Sequence, residues 1–469
     1  MSNAAIAGTA DSRRLPVFVA LCAILIGTVY GYDTGSISSA ILFIEPEFEL
    51  STFMTTIVVS SVTFGTLAGA LVGGWIANAV GRKRTMLVVA ICYTVFTGGQ
   101  ALAVDEWSLI GVRLLLGLIV GISIVTAPLF ISESAPRRVR GRMLVSFQFA
   151  TVTGIVIAYF VGLSLAHTEN WRLILALGFI PALIAAIMLS RLPDTSRWYI
   201  MRGRRNEALA VLSRVEPDDD PEQAAQLIEE DLRSTERGTY RQLFSGRYKR
   251  AGIFVVGLGL FVQLTGINAV VYYSPLLLQD VGFEAAGNAL LIAALIQLAG
   301  LLSTTTAFFV IDRWGRRPVL ITGLTIMVIA NVILVAGFLL DNAQIMTVIG
   351  LFVFLIGYSF GYGALLWVYV GEALPAQLRA IGGSALLTAD LAANIVVAMY
   401  FLNALTLIGG AATFAVFLVL SVGALIFSYF LAPETKGRRL EDIGLYWENG
   451  ASWPSDTEIA DLRQAERTR

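Results

Sequence analysis

The stretch "ESAPRRVRG" at 133–141 recurs in altered form as "EALPAQLRA" at 372–380, 239 residues later. Two further motifs repeat at nearly the same spacing: "GRK" at 81–83 as "GRR" at 315–317, and "PDTSRW" at 193–198 as "PETKGR" at 433–438. One such match would be weak, but three at nearly one offset predict that the chain consists of two duplicated halves. Parallel repeats of this kind are typical of transporters built around a central site.

The composition identifies a membrane protein. Of 469 residues 56% are hydrophobic and only 14% are charged, whereas a soluble protein has about 25% charged residues. The net charge of −1 predicts no basic surface for nucleic acid. Since His167 is the single histidine, and Cys22 and Cys92 both lie in apolar runs, we expect no metal site, no cofactor and no catalytic cluster.

Twelve apolar runs are long enough to cross a bilayer, which takes about 20 residues, and they fall into two groups of six. We therefore predict an all-α membrane protein with twelve transmembrane helices in two pseudo-symmetric six-helix bundles. The polar segment between the groups predicts a cytoplasmic helical linker. The predicted domains are a tail at 1–14, bundles at 15–191 and 250–432, the linker at 192–249, and a second tail at 433–469.

Lys and Arg are concentrated in alternate short loops, such as "GRKR" at 81–84 and "DRWGRR" at 312–317. The intervening loops have few: "VDEWS" at 104–108 and "DVGFEAAG" at 280–287 have none. Because positively charged loops stay on the cytoplasmic side, these loops and both termini are predicted to be cytoplasmic. The predicted location is the plasma or inner membrane, with multiple passes.

Glutamates accompany the arginines of the repeated loops. We predict a charged network that holds one mouth of the protein shut and breaks when that mouth opens. Its predicted members are Arg82, Glu133, Arg140, Arg316, Glu372, Arg379 and Glu434. The alternative is that the loop arginines only orient helices and contact lipid phosphates.

The repeated motifs, together with "YGYDTG" at 30–35, "QLTGINAVVYYS" at 263–274 and "LWVYVGEALP" at 366–375, resemble the sugar porters of the major facilitator superfamily. The similarity extends from about residue 15 to 445. It implies the major facilitator fold and the transport of monosaccharides or polyols by alternating access.

A sugar site needs amides, which both donate and accept hydrogen bonds, and aromatic rings against C–H faces. Such residues lie within the apolar spans, and Asn394 is one of them. By resemblance Gln148, Gln263, Asn268 and Trp367 match sugar-contacting positions, and Tyr30 and Tyr272 match aromatic ones. The alternatives are helix–helix contact for the amides and an interfacial or packing role for the tryptophan. "TGIN" at 265–268 should break its helix, since Gly266 lowers helix propensity.

The sequence departs from the family pattern at several of these positions. Val262 and Gly300 stand where the family has amides, and Asp390 stands where an amide is common. The predicted pocket thus has fewer hydrogen-bonding groups and one additional acid, so the identity of the sugar stays open. Three interpretations of Asp390 stay open: a second proton site, a substrate ligand, or a residue that lines a water-filled cavity.

Asp33 and Arg113 are ionisable residues within apolar spans, where charges are costly and usually functional. We predict that they are partners, and because arginine keeps its proton, the transported proton would belong to Asp33. The alternative is a static ion pair. By resemblance, facilitators of the family have a neutral residue at this position.

The predicted function is therefore import of a monosaccharide, a hexose or pentose, in symport with a proton. The alternatives are an uncoupled sugar facilitator and a proton symporter of an inositol-like polyol. The expected partners are the sugar, the proton and the lipid bilayer, and the family default is a monomer.

Overall fold

The computed structural model describes residues 14–136, 139–216, 219–234, 238–340, 343–438, 442–455 and 458. Within these ranges the regular structure is entirely helical. The chain divides into two compact units. The first extends to Thr235 and also includes Val271–Gln297, and the second comprises Glu236–Val270 and the chain from Leu298 onward.

Ten helices precede the boundary of the first unit at Thr235. They are α1 Arg14–Glu47, α2 Thr52–Val80, α3 Arg82–Ala101, α4 Glu106–Ser134, α5 Arg140–Leu165, α6 Trp171–Ala176, α7 Phe179–Ser190, α8 Ser196–Met201, α9 Arg205–Val215 and α10 Pro221–Ser234.

Of the remaining helices, α13 begins in the second unit and continues into the first, and α14 begins in the first unit and ends in the second. All the others lie in the second unit. They are α11 Tyr240–Leu243, α12 Lys249–Leu264, α13 Ile267–Asp280, α14 Ala286–Trp314, α15 Arg316–Leu339, α16 Ala343–Tyr358, α17 Ala364–Glu372, α18 Ala376–Leu431 and α19 Ile443–Glu448.

The described helices account for twelve spans. Ten segments are long and apolar enough to cross a membrane. One of them contains α18, which has 56 residues and would extend about 84 Å at 1.5 Å per residue. It is interrupted at Gly409, where φ is 80°, and so provides two spans. The twelfth is α3, whose mean hydropathy is lowered by Arg82, Lys83 and Arg84 at its start and by Gln100 at its end.

Helix α4 begins with a complete capping box, in which the backbone N–H of Ser108 donates to Asp105 Oδ1 at 2.7 Å. The backbone and side chain of Ser108 hold the pKa of Asp105 below its usual range. Such a cap satisfies N–H groups that have no partner within the helix, and it fixes where the chain re-enters the apolar span.

Glycines allow the closest helix contacts of the first unit. Along α1 they recur every fourth residue at Gly27, Gly31 and Gly35 and face the backbone of α5. A Cβ on Gly31 would lie 1.8 Å from the carbonyl oxygen of Thr151. Small residues at this spacing let helix backbones approach closely in a membrane, where van der Waals packing is a main source of association.

Glycines allow close helix contacts in the second unit as well. A Cβ on Gly259 of α12 would lie 2.4 Å from the carbonyl oxygen of Leu386 in α18. A Cβ on Gly323 of α15 would lie 2.5 Å from the Cα of Gly361, which belongs to a π-helical turn between α16 and α17.

The seventh span is broken, as predicted from "TGIN". Helix α12 ends at Leu264 and α13 begins at Ile267. Between them Gly266 has φ of 101°, a conformation that side chains with a Cβ rarely adopt. The break separates the two parts of this span, and most of α13 belongs to the first unit.

A buried hydroxyl cluster attaches α13 within the first unit. Tyr159 of α5 donates its hydroxyl to the carbonyl oxygen of Val271 at 2.6 Å. The same hydroxyl lies 2.6 Å from Ser38 Oγ and 3.2 Å from Ser274 Oγ. These bonds join α1, α5 and α13, and the three side chains that form them are fully buried.

The predicted linker contains short helices, and α8–α10 belong to the first unit while α11 belongs to the second. Helices α9 and α10 pack through Leu212, Ala224 and Ala225, and Arg205 pairs with Glu222 at 2.5 Å. The predicted domain boundaries themselves stay predictions.

We expect Gly31→Ala to destabilise the protein, because the added Cβ would force α1 away from the backbone of α5. Overpacking of this kind costs about 1–3 kcal/mol. Gly98→Ala is the matched control, since its Cβ would meet nothing within 4 Å. The check is the thermal unfolding midpoint in detergent, and equal midpoints for the two variants would contradict the close packing described here.

Candidate functional site

Asp33 lies in the first span with 4% of its surface exposed. None of the residues that the structure describes donates a hydrogen bond to its carboxylate or forms an ion pair with it. Its neighbour Ser36 donates instead to the backbone carbonyl of Asp33, at 3.1 Å. A carboxylate buried without donors is costly in its ionised form.

Arg113, in α4, is 1% exposed and bonds to neutral acceptors. Its Nε donates to the carbonyl oxygen of Val58 at 3.0 Å, and Nη2 donates to that of Val59 at 3.4 Å. Its Nη1 donates to Gln100 Oε1 at 3.0 Å. Arg113 therefore forms these bonds instead of the predicted ion pair with Asp33, and its charge acts on Asp33 only through space.

In the second unit three polar side chains form a hydrogen-bonded chain. Gln263 Nε2 donates to Asp390 Oδ1 at 3.0 Å, and Asn268 Nδ2 donates to Gln263 Oε1 at 2.7 Å. Gln263 and Asn268 are five residues apart, which does not suit one face of a regular helix. The break at Gly266 removes this restriction and brings the two amides together.

The other predicted sugar residues are divided between the units. The first contains Tyr30 and Gln148, both half-buried, and Tyr272, whose ring packs edge-on against Tyr273. The second contains Trp367, half-buried, and Asn394, which is 4% exposed. The part of these residues in sugar binding stays a prediction.

Tyr30 also lines a pocket in the first unit. The other lining residues are mostly apolar, among them Met86, Val89 and Val120. Such a wall suits an aromatic or aliphatic surface better than a set of hydroxyl groups.

The predicted charged network takes the form of one cluster in each unit. In the first, Arg82 Nε lies 3.0 Å from Glu133 Oε2, and Thr195 Oγ1 donates to the same oxygen at 2.6 Å. Asp194 accepts the backbone N–H of Lys83 at 3.2 Å. These contacts join the starts of α3 and α8 to the end of α4.

The second unit repeats this arrangement. Arg316 Nε lies 3.1 Å from Glu372 Oε2, and Thr435 donates to that oxygen. Glu434 accepts the backbone N–H groups of Arg316 and Arg317, both at 3.1 Å. The duplicated sequence therefore produces a duplicated cluster of Arg, Glu, Thr and a second acid.

Close contact explains the glycine that precedes the arginine in both clusters. A Cβ on Gly81 would lie 2.3 Å from Asp194 Oδ2, and a Cβ on Gly315 would lie 2.4 Å from Glu434 Oε2. A larger residue would push the acid away from the start of the helix that it caps.

One predicted member of the network differs from expectation, and the prediction for another is not tested. Arg379 does not pair with Glu372 but donates to the carbonyl oxygen of Leu374 at 3.3 Å, because Arg316 and Thr435 already occupy that carboxylate. The side chain of Arg140 lies outside the described part of the chain.

The sequence reasoning missed the two threonines and Asp194. The available signal was their place in the third repeated motif, where Asp194-Thr195 corresponds to Glu434-Thr435, 240 residues later. It also missed Gln100, the neutral partner of Arg113, which no repeated motif marks.

The sequence matches a family described as "Sugar (and other) transporter" over residues 19–447. It is 32% identical over 439 residues to the galactose-proton symporter of Escherichia coli K12, covering 92% of this chain and 94% of that protein. It is 30% identical over 443 residues to the arabinose-proton symporter of the same strain, covering 92% and 93%.

Solved structures agree with these matches. The xylose transporter XylE from E. coli, in a partially occluded inward-open conformation, aligns with a TM-score of 0.79 at 25% identity and covers 91% of this chain and 100% of that one. The proton:xylose symporter XylE bound to 6-bromo-6-deoxy-D-glucose gives 0.78 at 25% identity, covering 93% and 100%. The helices and duplicated motifs of the present chain, together with these matches, show that it is a multi-pass membrane transporter and not an enzyme. The chain belongs to the sugar transporter family.

Proposed function

We propose that this protein imports a monosaccharide, a hexose or pentose, together with a proton by alternating access. The observation that carries the proposal is Asp33, a carboxylate with 4% exposure and no donor among the described residues. The relatives named as galactose- and arabinose-proton symporters support the same conclusion.

Asp33 is the proposed proton carrier. A proton makes its side chain neutral and removes most of the cost of burying it. Arg113 cannot take this part because its guanidinium stays protonated, and three of its five N–H donors bond to Val58, Val59 and Gln100. Its fixed positive charge favours release of the proton from Asp33 when water reaches the carboxylate.

Gln263 and Asn268 are the proposed sugar ligands of the second unit. Both amides keep hydrogen-bonding capacity after forming the bond between them, because each amide has two donors and two acceptor sites. They lie at a broken helix, and discontinuous helices are frequent at transport sites.

The two arginine–glutamate clusters are the proposed gate elements. Each holds helix ends of its own unit together through an ion pair, a threonine hydroxyl and an acid that accepts backbone N–H groups. Their duplication supports a role in the transport cycle, since orientation by loop charge alone needs no paired acids.

The proposed setting is the cell membrane, with both termini and the arginine-rich loops in the cytoplasm. This orientation follows from the distribution of Lys and Arg among the short loops. The proposed functional state is a monomer surrounded by lipid.

We expect Asp33→Asn to abolish accumulation of sugar driven by a pH gradient, because the amide cannot carry a proton. Sugar exchange between equal concentrations should persist, since the shape of the side chain is kept. The measurement uses proteoliposomes with an imposed pH gradient, together with counterflow of labelled D-galactose, L-arabinose and D-xylose.

The matched control for this experiment is Asp280→Asn, an exposed acid at the end of α13, which should keep uphill uptake. Uphill uptake by the Asp33→Asn variant would refute the proton-carrying role. If adding sugar to the wild type causes no rise in external pH, the protein is an uncoupled facilitator instead.

We expect Glu133→Gln to destabilise the protein more than Glu372→Gln. Arg82 is 4% exposed and would stay charged without a counter-ion, and breaking such a buried pair costs about 3–5 kcal/mol. Arg316 is 17% exposed and also lies 3.2 Å from Asp312, so it keeps a counter-ion when Glu372 is replaced. The Glu372→Gln variant should therefore lose only about 1 kcal/mol of stability.

Thermal unfolding midpoints of the two single variants provide this comparison. Adding Arg82→Gln to Glu133→Gln should recover part of the loss, because no unpaired charge is then left buried. Equal midpoints for the single variants, or no recovery in the double variant, would show that the Arg82 pair is not the stronger of the two.

A further inference from the structure

The hydroxyl of Tyr93 reaches the turn of α1 that carries Asp33. Tyr93 lies in α3 with 2% of its surface exposed, and its hydroxyl donates to the backbone carbonyl of Val29 at 3.0 Å. Val29 is four residues before Asp33, so in the regular α-helix the same carbonyl accepts the backbone N–H of Asp33. The tyrosine therefore bonds to the acceptor that fixes the main chain of the acid.

The carbonyl of Val29 does not depend on Tyr93 for a hydrogen bond. It has its helical donor already, so it would not be left unsatisfied if the hydroxyl were removed. Beside this bond a pocket lies between α1 and α3, where Ile26 and Val29 line it from one helix and Met86 and Val89 from the other. The hydroxyl thus joins the two helices at the edge of a space that their packing leaves open.

Two further contacts hold the same turn from other helices. Tyr32 donates its hydroxyl to the carbonyl oxygen of Ile174 in α6, at 2.7 Å. The backbone at Gly31 lies against α5, since a Cβ there would be 1.8 Å from the carbonyl oxygen of Thr151. With Tyr93 in α3, three helices hold the main chain that carries the carboxylate.

Among the described residues, Arg113 is the charged group that acts on Asp33 through space. Helices α2 and α7 contain no charged residue. The other charged residues of α1 and α3–α6 are within three positions of a helix end: Arg14, Glu45, Glu47, Arg82, Lys83, Arg84, Glu106, Glu133, Arg140, Arg142 and Arg172.

The titratable residues along the middle of α1, α3, α5 and α13 are tyrosines and two cysteines, which are neutral near pH 7. They are Cys22, Tyr30, Tyr32, Cys92, Tyr93, Tyr159, Tyr272 and Tyr273. The ionisation of Asp33 therefore depends on its burial and on its distance from Arg113.

We propose that Tyr93 is a positioning residue for the proton step, which holds the turn of Asp33 toward α3 and so keeps the carboxylate apart from Arg113. The inference rests on the proposed function, in which Asp33 carries the proton. Three of the five N–H donors of Arg113 bond to neutral acceptors, so two remain that can bind a carboxylate. A turn released from α3 lets Asp33 approach these donors, and an adjacent guanidinium stabilises the ionised acid. Loading of the proton then requires a higher proton concentration.

Tyr93→Phe tests this role, because it removes the hydroxyl and keeps the ring. Uptake of D-galactose, L-arabinose and D-xylose is measured in proteoliposomes over a series of external pH values. We expect the pH of half-maximal uptake to fall by about one unit relative to the wild type, the lower end of the effect of an arginine beside a carboxylic acid. Sugar exchange between equal concentrations should persist, since the proposed sugar ligands are unchanged.

Tyr446→Phe is the matched control. The hydroxyl of Tyr446 also donates to a main-chain carbonyl, that of Leu431 at 3.3 Å, but both residues belong to the second unit. The pH profile of this variant should equal that of the wild type. The thermal unfolding midpoints of the two variants should fall by similar small amounts, because each variant loses one hydroxyl–carbonyl bond.

A second measurement follows Asp33 without transport. Infrared difference spectra of the purified protein record the carbonyl stretch of protonated carboxylic acids as the pH changes, and subtraction of the Asp33→Asn spectra isolates the signal of Asp33. The midpoint of this signal should move to lower pH in Tyr93→Phe, by the same amount as the uptake profile. It should not move in Tyr446→Phe.

The outcomes separate this inference from the proposed function. If the wild type takes up none of the three sugars, or takes them up without any response to a pH gradient, the proposed function fails and this inference fails with it. If uptake by the wild type is proton-driven but the uptake profile and infrared midpoint of Tyr93→Phe equal those of the wild type, only the positioning role is overturned. A shift to higher pH, an equal shift in Tyr446→Phe, or a much larger loss of stability in Tyr93→Phe than in the control would overturn that role as well.

Discussion

Lipid offers no hydrogen bonds, so each polar group inside a spanning helix depends on the protein for a partner. Arg113 has such partners, since backbone carbonyls and an amide surround its guanidinium. Asp33 has none among the described residues, and Asp390 has one. The proposed coupling arises from the unsatisfied acid Asp33, because a proton can remove the cost of burying its charge.

The two arginine clusters show how a duplicated sequence keeps a geometry while its details change. Both have a glycine that admits an acid, an arginine paired with glutamate and a threonine on the same carboxylate oxygen. The capping acid is Asp194 in one and Glu434 in the other. Exposure differs as well, since Arg82 is 4% and Arg316 is 17% exposed. Equivalent contacts are therefore expected to contribute unequally to the stability of the two units.

Much of the fold could be predicted from the sequence because span length and repeated loops depend on local composition. The all-α class, the twelve spans and the broken helix at Gly266 follow from such features. The pairing of Arg113 with Gln100 could not, because a neutral amide gives no charge pattern to match with an arginine. Nor could the bond from Gln263 to Asp390, which joins residues 127 apart through the packing of α12 against α18. Arg379 lies near Glu372 in the sequence, but the carboxylate pairs with Arg316, which is distant in the sequence.

The attachment of α13 to the first unit has a consequence for biosynthesis. Tyr159 emerges from the ribosome long before Val271, its hydrogen-bond acceptor 112 residues later. Domains generally fold in order of synthesis, yet the first unit needs Val271–Gln297 for completion. Until that segment has been translated, the hydroxyl of Tyr159 lacks Val271 and Ser274, its two partners in α13. The packing of the first unit therefore stays incomplete until the ribosome has translated the chain through Val270 of the second unit and on to Gln297.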